Sequence, residues 1–200
     1  MRKLITLGAG LLLGLAVAVT NANASKYFDM ESQTWKDVSG YAHGGKSPIK
    51  RTTVSYDGKF ANSPEGTIVI NTQERRLYYI MGDGKAVKYG IGVGRPGFQW
   101  TGTHRVSRKA EWPGWTPPPA MRKRVPNLPS YMEGGPNNPL GARAMYIGST
   151  IYRIHGSNEP WSIGQAVSSG CIRLANEDVI DLYERVKVGA QVHVIQATQK

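Results

Sequence analysis

The chain has 200 residues, with 25 Lys and Arg against 14 Asp and Glu for a formal net charge of +11, and a single cysteine. One cysteine excludes a disulfide framework, and the positive excess favours anionic surroundings. No zinc-finger spacing, RNA-binding aromatic signature or basic heptad region accompanies that charge, so nucleic acid is not an expected partner.

Met1, Arg2 and Lys3 precede an apolar run from Leu4 to Val19 that falls short of a bilayer span. Ala22-Asn23-Ala24 supplies small residues where a signal peptidase cuts. A signal peptide over 1–24 with cleavage before Ser25 is predicted, an uncleaved membrane anchor being the alternative. Residues 25–65 are poor in apolar side chains, as in "SGYAHGGKSPIKRTT", and read as a linker or loosely attached arm.

From Gly66 the texture changes. "TIVINT", "RLYYIM" and "AVKYGIGV" are β-branched and aromatic runs separated by the turns "TQER" and "GDGK". They predict three successive antiparallel strands. Between Arg95 and Leu140 the text is rich in proline, tryptophan and glycine and shows neither helical nor strand period. A long irregular insert of this kind serves as a binding loop or lid when it is ordered, and its aromatics argue for order. A flap that packs over a core edge and one that faces substrate fit equally well.

"RAMYIGSTIYRIHG" resumes strand texture. Asn176 then offers a helix cap, with Glu177 and Asp178 in the first turn, and Val179, Leu182, Tyr183 and Val186 form one apolar face. Gly189 stands where a helix terminator belongs, and "AQVHVIQ" closes with a strand in which His193 reads as solvent-facing. His43, His104 and His193 lack metal-ligand spacing, so neither a metal nor a cofactor is expected. The sum is a mostly-β domain with one clear amphipathic helix.

Gly92-Val93-Gly94-Arg95-Pro96-Gly97 matches the G-x-G-x-x-G dinucleotide fingerprint in letters only. That motif needs a helix N-terminus directly after the glycines, and "FQWTGTHRV" with Pro96 before it predicts a strand-end turn instead.

Cys171 lies sixteen positions after His155 in "IHGSNEPWSIGQAVSSGCIRL". A thiol attacks a carbonyl as thiolate, and an adjacent imidazole both favours that form and takes the proton. Gly170 lets the backbone approach a substrate and suits a positive φ, while consecutive amides around "SSGC" are suited to an oxyanion. Taken alone, the two residues read more readily as a buried structural cysteine and an unrelated histidine.

The whole string resembles the active-site signature of the YkuD-type L,D-transpeptidase family: His-Gly, a spacer of this length, then [ST]-x-G-C-[IV]-R. The strands from Gly66, the stretch Tyr89 to Gly102 and the helix-and-strand tail also look like that family. The tryptophan- and proline-rich insert resembles the version in Gram-negative, particularly alphaproteobacterial, members. The resemblance implies a β-sandwich or barrel-like catalytic domain over residues 66–197. It makes Cys171 the nucleophile, His155 the base and the Gly156 carbonyl the group that orients the imidazole. The amides of Ser169, Gly170 and Cys171 would form the oxyanion hole. Arg173 would pair with a stem-peptide carboxylate in preference to bridging its own loop, and Ser168 would support either substrate or loop. A papain-like protease would need the histidine far downstream of the cysteine, and here it comes first.

The implied reaction is acylation of Cys171 by the diaminopimelate carbonyl of a peptidoglycan tetrapeptide stem with loss of D-Ala. Transfer follows to an amine, giving a 3–3 cross-link or tethering an outer-membrane protein to the wall, in the periplasm. An L,D-carboxypeptidase and a non-catalytic peptidoglycan-binding protein are the alternatives.

Overall fold

The computed structural model describes residues 26–29, 34–37 and 46–196. The expected signal peptide over 1–24 lies outside the described residues. In chain order the strands are β1 Lys26–Asp29, β2 Thr34–Asp37, β3 Thr52–Ser55, β4 Ile68–Asn71, β5 Arg76–Gly82, β6 Lys85–Gly90, β7 Val93–Gly94, β8 Gly102–Glu111, β9 Arg143–Ile147, β10 Arg153–His155, β11 Ala166–Ser168, β12 Ile172–Arg173 and β13 Gln191–Ile195. Helix α1 spans Pro119–Arg124 and α2 spans Asn176–Arg185. Among the described residues no helix is long and apolar enough to cross a membrane.

Nine strands form one sheet in the order β12-β10-β9-β8-β13-β4-β5-β6-β3. The predicted meander is present: β4, β5 and β6 are antiparallel neighbours. Just beyond β6 the chain meets the far end of the sheet, where Gly92 and Arg173 exchange two backbone hydrogen bonds of 2.9 Å. That bridge closes the sheet towards a barrel. Strand alternation sends Ile68 and Ile70, Leu77 and Tyr79, Val192 and Val194 into the enclosed core. The α2 face of Val179 and Leu182, continued by Val186 just past its end, plugs that core.

The opposite face of β4–β6 is covered too, and here the expectation of a loose arm over 25–65 fails for its second half. Strand β3 is an edge of the large sheet, paired with β6. Tyr56, Val54, Phe60 and Ala61 pack on Val69, Tyr78 and Ile80. Upstream, the Ser47 amide donates to Glu177 (3.0 Å) and Arg51 pairs with Asp178 (3.2 Å), which fastens the segment to α2. Ile49 lies so close to Gly90 that any Cβ there would collide with it. Few apolar residues suffice here because each is used against an already formed sheet face. The same cover corrects His193. It is buried, its ring stacks on Phe60 at 3.8 Å and its Nδ1 meets Thr103 Oγ1 at 3.0 Å.

The irregular stretch is also shorter than expected. Residues 102–111, inside the predicted insert, form the ten-residue β8, paired with β13 on one side and β9 on the other. What remains folds on its own small apolar cluster of Trp115, Met121, Val125, Leu128 and Leu140. Buried Asn138 fixes its exit by donating to the carbonyls of Met132 (3.2 Å) and Glu133 (2.8 Å) and accepting from the Leu140 amide (2.9 Å).

Candidate active site

Strands β10 and β12 run parallel, with Ile154 opposite Ile172 and His155 opposite Arg173. Ile154 and Ile172 face the core. Alternation therefore turns His155 and Arg173 to the other face, together with Cys171 two residues before Arg173. Cys171, the residue just before β12, thus lies diagonally across from His155 on this face. Both line one cleft, together with Tyr152, Arg153, Ser168 and Ser169 on the sheet side. Trp115, Pro118, Met121 and Leu140 of the insert form its opposite wall. The insert is therefore both flap and cleft wall, because residues of its own small core also face the thiol. A larger cavity, about 530 Å³ between Glu65, Tyr79, Arg105 and Lys187, contains none of these residues.

His155 is buried and its Nδ1 bonds the Gly156 carbonyl at 2.5 Å, so Nδ1 carries the proton and Nε2 is left unprotonated. Burial, then the Arg173 charge, lowers its pKa to about 3 against the weaker opposing pull of the Gly156 carbonyl. The imidazole is neutral at physiological pH, as an acceptor of a thiol proton must be.

The Cys171 loop is held from three directions. Ser168 Oγ donates to the Cys171 carbonyl (2.6 Å) and accepts the Gly170 amide (3.1 Å). Trp100 Nε1 donates to the Gly170 carbonyl (2.7 Å), its indole stacked on Tyr152 with centroids 4.5 Å apart. Gly170 itself has φ +105°, the positive value anticipated for it, and a Cβ there would press into the Tyr152 ring. In a trans peptide the carbonyl and the following N–H point oppositely, so the pull of Trp100 on the Gly170 carbonyl turns the Cys171 amide the other way.

Several sequence assignments change. The Gly170 amide already has an acceptor in Ser168, which leaves Ser169 and Cys171 as the oxyanion-hole candidates, and buried Ser168 is committed to the loop rather than to substrate. Arg173, expected to meet a substrate carboxylate, instead donates to Glu159 at 2.8 Å with both side chains about 5% exposed. Glu159 is the only carboxylate between His155 and Cys171 in the chain, a signal that sequence reading passed over. Asn176 is not the α2 cap either. Ala175 holds that position, and Asn176 Oδ1 accepts the Ala142 amide (2.9 Å), which ties the insert's exit to the helix. Of the glycines in the nucleotide-like string, Gly92 bridges to Arg173, Gly94 lies in β7 and Gly97 takes a positive φ in the turn that follows; β7 pairs with β11 beside the cysteine loop. Among the described residues no cluster of three or more His, Cys, Asp or Glu is arranged to hold a metal.

The model of the YkuD family, the L,D-transpeptidase catalytic domain, matches residues 65–194. The chain belongs to that family. It is 44% identical over 142 residues to the probable L,D-transpeptidase ErfK/SrfK of Escherichia coli, an alignment covering 66% of this chain and 45% of that protein. The chain thus spans about half the length of the curated relatives it matches. Its fold is that of solved L,D-transpeptidases: L,D-transpeptidase 3 of Mycobacterium tuberculosis superposes with a TM-score of 0.53 at 20% identity, covering 66% of this chain and 62% of that one. A Brucella melitensis structure bearing the name probable carnitine operon oxidoreductase is 40% identical with a TM-score of 0.50, covering 75% of this chain and 96% of that one.

Proposed function

We propose that this protein is an exported peptidoglycan L,D-transpeptidase in which Cys171 is the nucleophile and His155 its base. The observation that supports the reading is that a free thiol and a neutral imidazole with an unprotonated Nε2 line one cleft, beside the β10–β12 pairing. The thiol gives its proton to Nε2 and sulfur attacks the diaminopimelate carbonyl of a tetrapeptide stem. The Ser169 and Cys171 amides face the oxygen that gains charge. Collapse breaks the bond to the terminal D-Ala, whose amine takes the proton from His155, and a thioester remains. An acceptor amine surrenders a proton to His155, attacks the thioester and releases the thiolate. A second diaminopimelate would give a 3–3 cross-link, an amine of an outer-membrane protein would tether that protein, and water would make the enzyme a carboxypeptidase. The leader-like residues 1–24 and the positive charge support work in the periplasm on an anionic wall.

Purified protein incubated with tetrapeptide muropeptides should release D-Ala and show a thioester by intact-mass spectrometry. Cys171→Ala should do neither while keeping its melting temperature. No release from wild-type protein would leave a wall-binding role; full release from Cys171→Ala would refute the assignment.

A further inference from the structure

Two arginines line the cleft, Arg173 and Arg153. Glu159 neutralises the first. The second has no ion-pair partner among the described residues. It makes a 3.3 Å hydrogen bond to the Ile151 carbonyl, and its guanidinium carbon lies 5.3 Å from the centre of the Tyr146 ring. Its Nε is buried with no acceptor at all. A half-buried cation left in this state loses water without gaining a counter-ion, a cost that a bound anion would remove.

The register says where that anion would lie. Ile154 faces Ile172 and His155 faces Arg173, so Arg153 stands opposite Cys171, on the same face and one strand spacing of about 4.8 Å away. In the acyl transfer proposed above, sulfur 171 sits on the scissile carbonyl, and the residue about to leave is a chain end. Its free carboxylate lies one residue step, about 3.5 Å, beyond that carbonyl. We infer that Arg153 is a specificity residue that binds the free carboxylate of the leaving D-amino acid, so that the site cuts a terminal peptide bond and not an internal one. The inference rests on that acyl-transfer reading. It also accounts for the two arginines dividing their labour, Arg173 holding the loop and Arg153 meeting the substrate.

The test compares a tetrapeptide stem ending in a free acid with the same stem ending in an amide. Wild-type protein should favour the acid by about 10- to 100-fold in kcat/KM, the range expected of a hydrogen-bonded charge pair. Arg153→Gln should lose that preference through a raised KM for the acid alone, and Arg153→Lys, a point charge, should keep part of it. The alkylation rate of Cys171 by iodoacetamide and the melting temperature monitor the nucleophile and the fold. A variant that keeps the acid-over-amide ratio overturns the inference, as does a wild type without one. Calorimetric binding of both peptides to Cys171→Ala, with and without Arg153→Gln, reads the same preference without turnover. Absent turnover with an Arg153-dependent acid preference would sink the catalytic reading and leave the carboxylate site standing.

Discussion

Arg173→Met isolates the buried ion pair. Arg173 and Glu159 are both about 95% buried and 2.8 Å apart. Removing the cation leaves a carboxylate in the interior, where loss of one partner of such a pair costs about 3–5 kcal/mol. For a domain of this size that corresponds to a fall in melting temperature of about 10 °C. Replacing both partners, Arg173→Met with Glu159→Met, should recover most of the loss, because no uncompensated charge remains. Thermal unfolding of the three proteins at pH 7, followed by circular dichroism, measures both effects. A single variant within about 2 °C of wild type, or a double variant no better than the single, refutes the argument. In the first case Arg173 would be a substrate ligand after all, and a raised KM at unchanged stability would identify it.

Three further expectations concern the loop and its base. Gly170→Ala puts a Cβ at φ +105° against Tyr152, and should slow acylation of Cys171 at least about 10-fold while costing about 1–3 kcal/mol; a variant with wild-type kinetics would mean the loop is not held there. Trp100→Phe keeps a ring on Tyr152 and loses the bond to the Gly170 carbonyl, so acylation should slow several-fold with a drop of about 1 kcal/mol by urea unfolding, and unchanged acylation would show that the indole N–H does not orient that peptide. His155, held neutral down to about pH 3, should show no imidazole titration by NMR between pH 8 and 5. Because its folded pKa lies below the unfolded value of 6.5, the unfolded chain binds more protons between these values. Stability should therefore be level above about pH 6.5 and fall as pH drops from there towards 3, by up to about 1.4 kcal/mol per pH unit from this group. A midpoint near 6.5 in the folded protein would contradict the burial argument.

What could be read from the sequence was what local order determines. The β4–β6 runs carry their own turns, α2 its own apolar face, and the Cys171 loop its own glycine and serines. What could not be read depends on partners distant in the chain. Strand β8 shows one fully buried side chain, Val106, in ten residues, so its extended form comes from pairing on both edges and not from propensity. His193 alternates as an outward residue should, and only the return of Phe60 across that face buries it. Asn176 has the chemistry of a cap, yet the Ala142 amide, thirty-four residues away, engages its side-chain oxygen. Arg173 suits a substrate carboxylate by its chemistry, and only the fold brings Glu159 beside it.

The paired hydrogen bonds between Gly92 and Arg173 leave β12 with a neighbour on each side, β10 and the segment beyond β6. No row of unpaired main-chain groups is offered along the strand that leads out of Cys171. A visiting peptide therefore cannot be gripped there by strand addition, the mode by which many clefts hold extended L-chains with little regard for sequence. Discrimination passes to side chains and loop amides, which can accommodate mirror-image centres that a regular ladder would reject.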